Sequence, residues 1–125
     1  MQIERWFSPG QSWKLTALTV GGRLFIPDSE TGDETYVQVI KIVDPPKRFV
    51  THALPATPGA GEVTAYLLQE ERDGTRLTIT NSGYELLPGD ERWSSMEQNA
   101  FGFGMMLENL RAYIESRDLT TPGGF

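Results

Sequence analysis

The sequence contains no cysteine and a single histidine, His52. Without thiols the chain cannot form disulfides, Cys-based zinc or iron–sulfur sites, or a cysteine nucleophile. One histidine is too few for a His-rich metal site, and a Ser-His-Asp set would have to use His52. We therefore predict no metal and no cofactor. The lack of cysteine agrees with a reducing compartment, so the cytoplasm is the expected location.

Basic residues and long apolar runs are also scarce. The chain carries 11 Lys and Arg against 17 Asp and Glu, a formal net charge of −6. Nucleic acid is not an expected partner, because binding to phosphates needs a basic patch. No apolar run approaches the roughly 20 residues of a membrane helix, and no signal sequence is evident at the N-terminus. At 125 residues, the chain is long enough for one domain and too short for two.

What the sequence does contain is a series of strand patterns separated by turn residues. β-Branched and aromatic residues predict about six strands. These are SWKLTALTV, RLFIPD, ETYVQVIKIV, FVTHAL, EVTAYLLQEE and TRLTITNS. The predicted turns are a two-residue hairpin at Gly21-Gly22, a turn at DPPK (44–47) and a hairpin at RDG (72–74). PATPGAG (55–61) is predicted to be a loop.

The last third of the chain changes to a helical period. Apolar residues recur at spacings of three and four, which predicts one apolar face of a helix of about six or seven turns. They are Trp93, Met96, Ala100, Phe103, Leu107, Leu110 and Ile114. Ser94 or Ser95 is a candidate N-cap, and Asp90 is an alternative, earlier start. Strands followed by one helix predict an α+β fold, in which a curved antiparallel sheet of about six strands grips a long C-terminal helix.

Five segments carry a resemblance to a known family. They are ERWFSP, VGGRLFI, VIKIVDPPKRFV, DGTRLTITNSGYE and FGFGMMLENLRAYIES. In this order they resemble the START-like (SRPBCC, helix-grip) superfamily, and within it the activator of the ninety-kilodalton heat-shock protein ATPase. Gly102-Phe103 replaces the family's usual Gly-Trp, while Leu107 and Leu110 keep the expected leucine spacing. The resemblance covers nearly the whole chain and implies a single START-like domain over residues 1–125.

The resemblance also implies that a strand and a helix found ahead of the tryptophan in relatives are absent here. The family's first strand lies beside its last one, so residues 75–82 would form an exposed sheet edge, which is a template for pairing. We therefore expect a homodimer, with either this edge or the Trp6-Phe7 segment in the contact. The alternatives are a flexible end and a start codon assigned inside a longer domain.

Relatives enclose a mostly hydrophobic cavity in which a few polar groups orient a ligand, and the resemblance implies such a site here. The predicted ligand-contacting residues are Trp13, Phe25, Phe49, His52, Tyr66, Asn81, Trp93, Met96, Phe103 and Leu107. An ordinary structural role in the sheet is the alternative for His52, Tyr66 and Asn81, and a place in the core is the alternative for the helix residues.

Three functions remain open at this point. The first is a module that binds a hydrophobic or amphipathic small molecule. The second is a co-chaperone-like interaction module, linked to stress response, that uses the exposed sheet edge. The third is a cyclase- or hydrolase-like enzyme with His52 or Tyr66 as acid or base. No catalytic constellation is evident in the sequence. The adjacent acids Glu70 and Glu71 cannot form a carboxylate dyad, because neighbouring residues of a strand point to opposite faces.

Overall fold

The computed structural model describes residues 5–6, 11–54, 61–120 and 122. This part of the chain forms two compact units. The sheet unit is Lys14–Leu86, and the helix unit combines the described residues of 1–13 with those from Leu87 onward. Phe7 and all but the last residue of the predicted PATPGAG loop lie outside the described residues.

The sheet unit contains six antiparallel strands, each hydrogen-bonded to the next one along the chain. They are β1 (Lys14–Leu15), β2 (Arg23–Pro27), β3 (Glu34–Asp44), β4 (Arg48–Ala53), β5 (Val63–Glu71) and β6 (Gly74–Ser82). A 3₁₀ turn at Tyr84–Leu86 follows, and the helix unit contains one long helix, α1 (Gly89–Ile114). A curved six-stranded antiparallel sheet with one long C-terminal helix confirms the predicted α+β, helix-grip class.

The connection between β1 and β2 differs from the predicted two-residue hairpin. SWKLTALTV contributes only two strand residues, and residues 16–22 separate the two strands. Gly21 and Gly22 instead bond to β3: the Gly21 N–H donates to the Ile40 carbonyl at 2.8 Å, and the Ile40 N–H donates to the Gly22 carbonyl at 2.8 Å. A Cβ on Gly22 would lie 2.0 Å from the Ala17 carbonyl oxygen, so the tight return of the chain requires glycine there.

The other predicted turns are confirmed. The Lys47 N–H donates to the Asp44 carbonyl at 2.8 Å and closes the turn between β3 and β4. Glu71 pairs with Gly74, which leaves a two-residue loop between β5 and β6.

The helix starts earlier than Ser94 or Ser95, which lie inside it. Its first residue is Gly89, and the Arg92 N–H donates to the Pro88 carbonyl at 2.8 Å. Pro88 suits this boundary because proline disfavours the helical conformation of the residue before it but tolerates the first turn itself. Asp90 and Glu91 follow in the first turn, where the helix dipole favours acids. Within the described ranges, no helix combines the length and hydropathy needed to cross a bilayer.

The side of α1 that is buried is not the side predicted from the apolar spacing. The buried residues are Gly102, Met106, Asn109 and Ala112. At the two ends of the predicted apolar face, Trp93 is 67% exposed and Ile114 is 71% exposed. Asn109 can be buried because its amide has a hydrogen-bond partner within the helix unit. Asn109 Nδ2 donates to the Trp6 carbonyl at 3.3 Å. The spacing of apolar residues therefore predicted the wrong side of α1 as the buried one.

Candidate ligand-binding face of the sheet

Strand pairing brings several predicted site residues onto one face of the sheet. Residues paired across antiparallel strands share a face, because successive side chains alternate sides. Phe49 of β4 pairs with Tyr66 of β5, and Tyr66 pairs with Ile79 of β6. We call this side the Tyr66 face. Two residues further along, Thr64 and Asn81 pair with each other on the same face.

An aromatic pair forms the apolar part of the Tyr66 face. The ring centroids of Phe49 and Tyr66 are 5.8 Å apart, with an angle of 37° between the ring planes. This separation lies within the range of favourable aromatic contacts, which add about 0.5–1.5 kcal/mol to the burial of the rings. Ile79 extends the same surface onto β6 and is half-buried.

A row of neutral polar side chains runs beside this aromatic pair, which we call the polar row. It consists of Gln38, Thr51, Thr64 and Asn81, one from each of β3 to β6. Asn81 Nδ2 donates to Thr64 Oγ1 at 2.9 Å, and Thr51 Oγ1 makes a longer contact of 3.4 Å with Gln38 Oε1. Thr51 and Thr64 are buried, so these hydrogen bonds offset the cost of placing hydroxyls away from water.

The Tyr66 hydroxyl adds a further polar atom to this face. Removal from water disfavours the phenolate, and burial raises the pKa of Tyr66 to about 12. The hydroxyl is therefore neutral at physiological pH and can both donate and accept a hydrogen bond. Among the described residues it takes part in no hydrogen bond.

The side chains of the Tyr66 face are apolar or neutral and polar. The aromatic pair and the polar row contain no charged side chain, so they fit a neutral or amphipathic molecule oriented by a few hydrogen bonds. Among the described residues, no group of three or more His, Asp or Glu side chains is placed to hold a metal ion.

The Tyr66 face includes three of the predicted ligand-contacting residues: Phe49, Tyr66 and Asn81. His52 lies on the opposite face, where it pairs with Val39 and Val63. His52 and Tyr66 therefore cannot act on the same group as an acid–base pair. Phe25 lies where the register between β2 and β3 shifts, and it pairs with Lys14 of β1.

The other five predicted contacts belong to the helix unit. Trp13 is buried and Phe103 is half-buried. Trp93, Met96 and Leu107 are exposed. The apolar spacing grouped four of these residues on one side of α1, and the structure exposes three of them to solvent.

Three members of the polar row were missed in the sequence: Gln38, Thr51 and Thr64. Each is a polar residue that follows a valine within a predicted strand, in YVQVI, FVTHA and EVTAY. Such a residue is costly to bury unless it has a hydrogen-bond partner, which is a signal that could have identified all three.

A shallow depression lies at the start of α1. Its volume is about 370 Å³, and it is lined by Asp90, Glu91, Ser94 and Ser95. None of the predicted ligand-contacting residues lines it. The acids are explained by their position in the first helical turn, so this depression adds nothing to the candidate site.

The comparisons with known proteins agree with the fold. A family model described as "Activator of Hsp90 ATPase homolog 1-like protein" matches residues 1–115. No curated protein and no solved structure matches the chain. The match spans most of the sequence, confirms the resemblance drawn from the five segments, and agrees with the observed sheet and helix. The chain belongs to the activator of Hsp90 ATPase homolog family, within the SRPBCC/START-like superfamily.

Proposed function

We propose that the Tyr66 face binds a hydrophobic or amphipathic small molecule. The observation that carries this proposal is the polar row beside the Phe49–Tyr66 pair, since few polar groups on an apolar surface are typical of ligand sites. Family membership supports a binding or co-chaperone-type module in general terms. The cytoplasmic location and the self-association predicted from the sequence are further parts of this proposal.

Two contributions to binding follow from the chemistry of the face. Covering the aromatic pair and Ile79 with an apolar ligand contributes about 25 cal/mol for each Å² of apolar surface removed from water. The Tyr66 hydroxyl and the Asn81 amide then orient the polar end of the ligand. Asn81 keeps acceptor capacity, because its bond to Thr64 uses the amide nitrogen.

The test begins with native mass spectrometry of the freshly purified chain, which we expect to show a co-purifying small molecule. Binding is then measured by fluorescence titration with 8-anilinonaphthalene-1-sulfonate, an amphipathic probe. The variants are Tyr66→Phe and Asn81→Leu. We expect each to weaken probe binding about three- to tenfold, which corresponds to one hydrogen bond of roughly 0.5–1.5 kcal/mol.

The matched control is Thr80→Val, because Thr80 neighbours Asn81 on β6 but points to the opposite, exposed face. It should bind the probe as the wild type does. Equal probe affinity in the wild type, Tyr66→Phe and Asn81→Leu would refute the Tyr66 face as the binding surface.

A second candidate function is a co-chaperone-like interaction through β6. This strand is the last in the described sheet, so one side of its backbone has no strand neighbour among the described residues. Arg76, the only charged residue of β6, makes an ion pair with Glu71 at 2.6 Å. An edge with few free charges can accept an extended segment from another protein.

One assay separates the two functions. The ATPase rate of Hsp90 is measured with the wild type, with Tyr66→Phe, and with Thr78→Lys, which puts a charge on the edge strand. Stimulation that survives Tyr66→Phe but is lost in Thr78→Lys would favour the co-chaperone function. The absence of stimulation together with a bound small molecule would favour ligand binding.

A further inference from the structure

Seven exposed residues form a continuous strip along α1, which we call the outer strip. They follow one another at spacings of four and three, so they share one side of the helix. They are Trp93, Glu97, Ala100, Gly104, Leu107, Arg111 and Ile114. Large apolar side chains stand at both ends of the strip: Trp93 is 67% exposed and Ile114 is 71% exposed. Large apolar side chains that are this exposed on one side of a helix are candidates for an interaction surface.

The outer strip is complementary to itself when it is reversed about Gly104. An antiparallel second helix centred on Gly104 would place Glu97 opposite Arg111, and Arg111 opposite Glu97. The same alignment would place Trp93 opposite Ile114 at both ends, and Ala100 opposite Leu107 near the centre. We propose that two copies of this chain associate through their outer strips, with the two α1 helices antiparallel.

Charge selects this orientation over the parallel one. A parallel, in-register pair would set Glu97 against Glu97 and Arg111 against Arg111, and like charges at such positions destabilise a helix pair. The antiparallel pair instead forms two symmetry-related pairs of opposite charge. This arrangement gives an isologous interface, as expected for a two-fold dimer.

The sizes of the residues along the outer strip also favour a helix pair centred on Gly104. At Gly104 an added Cβ would meet no atom within 4 Å, so this position is open to a partner. Glycine and alanine at the middle of the strip let two helix backbones approach, while a small residue faces the larger Leu107 across the pair. Trp93 and Ile114 then cover each other at the two ends.

The proposed contact is modest in size. The outer strip is about 32 Å long, from 21 residue steps of 1.5 Å. A single helix pair lies at the low end of interface sizes, so we expect a dissociation constant of the order of micromolar. The contact differs from the β6 edge and from the Trp6-Phe7 segment suggested by the sequence. It does not depend on the ligand-binding function.

The test is sedimentation velocity of the full chain from about 1 μM to 1 mM, with charge variants in the outer strip. Glu97→Arg and Arg111→Glu each replace attraction by repulsion, and each should raise the dimer dissociation constant about tenfold. The double variant with both changes should restore wild-type affinity. Glu91→Arg is the control, because it makes the same charge change on another side of α1.

Restoration by the double variant cannot arise from a folding defect, since all three substituted positions are exposed. A monomer across the whole concentration range would overturn the proposal. A dimer with the same affinity in both single charge variants would also overturn it, because the contact would then lie elsewhere, as at the β6 edge.

Discussion

Replacing Gly83 by alanine should destabilise the sheet unit by about 3 kcal/mol or more. Gly83 directly follows β6 and has φ of +92°, a conformation that alanine adopts only with strain. An added Cβ would also lie 2.1 Å from the Gly61 carbonyl oxygen. That atom belongs to backbone, so relief requires the chain at Gly61 or Gly83 to move. Urea unfolding followed by circular dichroism measures the loss.

Gly74→Ala is the matched control for this prediction. Gly74 begins the same strand, and an added Cβ there would meet nothing within 4 Å. We expect its free energy of unfolding to stay within about 1 kcal/mol of the wild type. If Gly83→Ala lost no more stability than Gly74→Ala, the close approach between residues 61 and 83 would not be a real constraint.

Two methionines of α1 should respond very differently to the same substitution. Met106 has no exposed surface, whereas Met96 is 39% exposed. Met106→Ala should destabilise the protein by about 2–5 kcal/mol, because a buried side chain is removed and leaves a cavity. Met96→Ala should change stability by no more than about 0.5 kcal/mol, since alanine is also a good helix former.

Thermal unfolding at low protein concentration compares the two variants without interference from self-association. The result decides which side of α1 is packed. A larger loss for Met96→Ala than for Met106→Ala would restore the apolar face predicted from the sequence and contradict the burial that the structure gives.

The fold class followed from local signals that tertiary structure does not easily override. Arg72-Asp73-Gly74 marks a hairpin because its residues suit a tight turn, and the turn forms between Glu71 and Gly74. The prolines at 45 and 46 end a strand for the same kind of local reason. By contrast, the role of Gly21-Gly22 depends on hydrogen bonds to Ile40 of β3, a partner distant in sequence. The local sequence around Gly21-Gly22 could not predict this pairing with β3.

The candidate site was only partly predictable for a related reason. Phe49, Tyr66 and Asn81 were identified as strand residues, but strand alternation alone does not say which face each one shares with its neighbours across the sheet. The pairing register supplies this information, and it separates His52 from Tyr66. On α1, the buried Asn109 has a partner about one hundred residues away in the chain, at Trp6. The helical periodicity of the sequence cannot predict such a hydrogen bond.

The most direct test of the central claim is backbone amide chemical-shift mapping by NMR during titration with 8-anilinonaphthalene-1-sulfonate. If the Tyr66 face binds ligand, the largest shifts will fall on β4, β5 and β6 around Phe49, Tyr66 and Asn81. Shifts confined to the outer strip of α1, or to the opposite face around His52, would contradict the account.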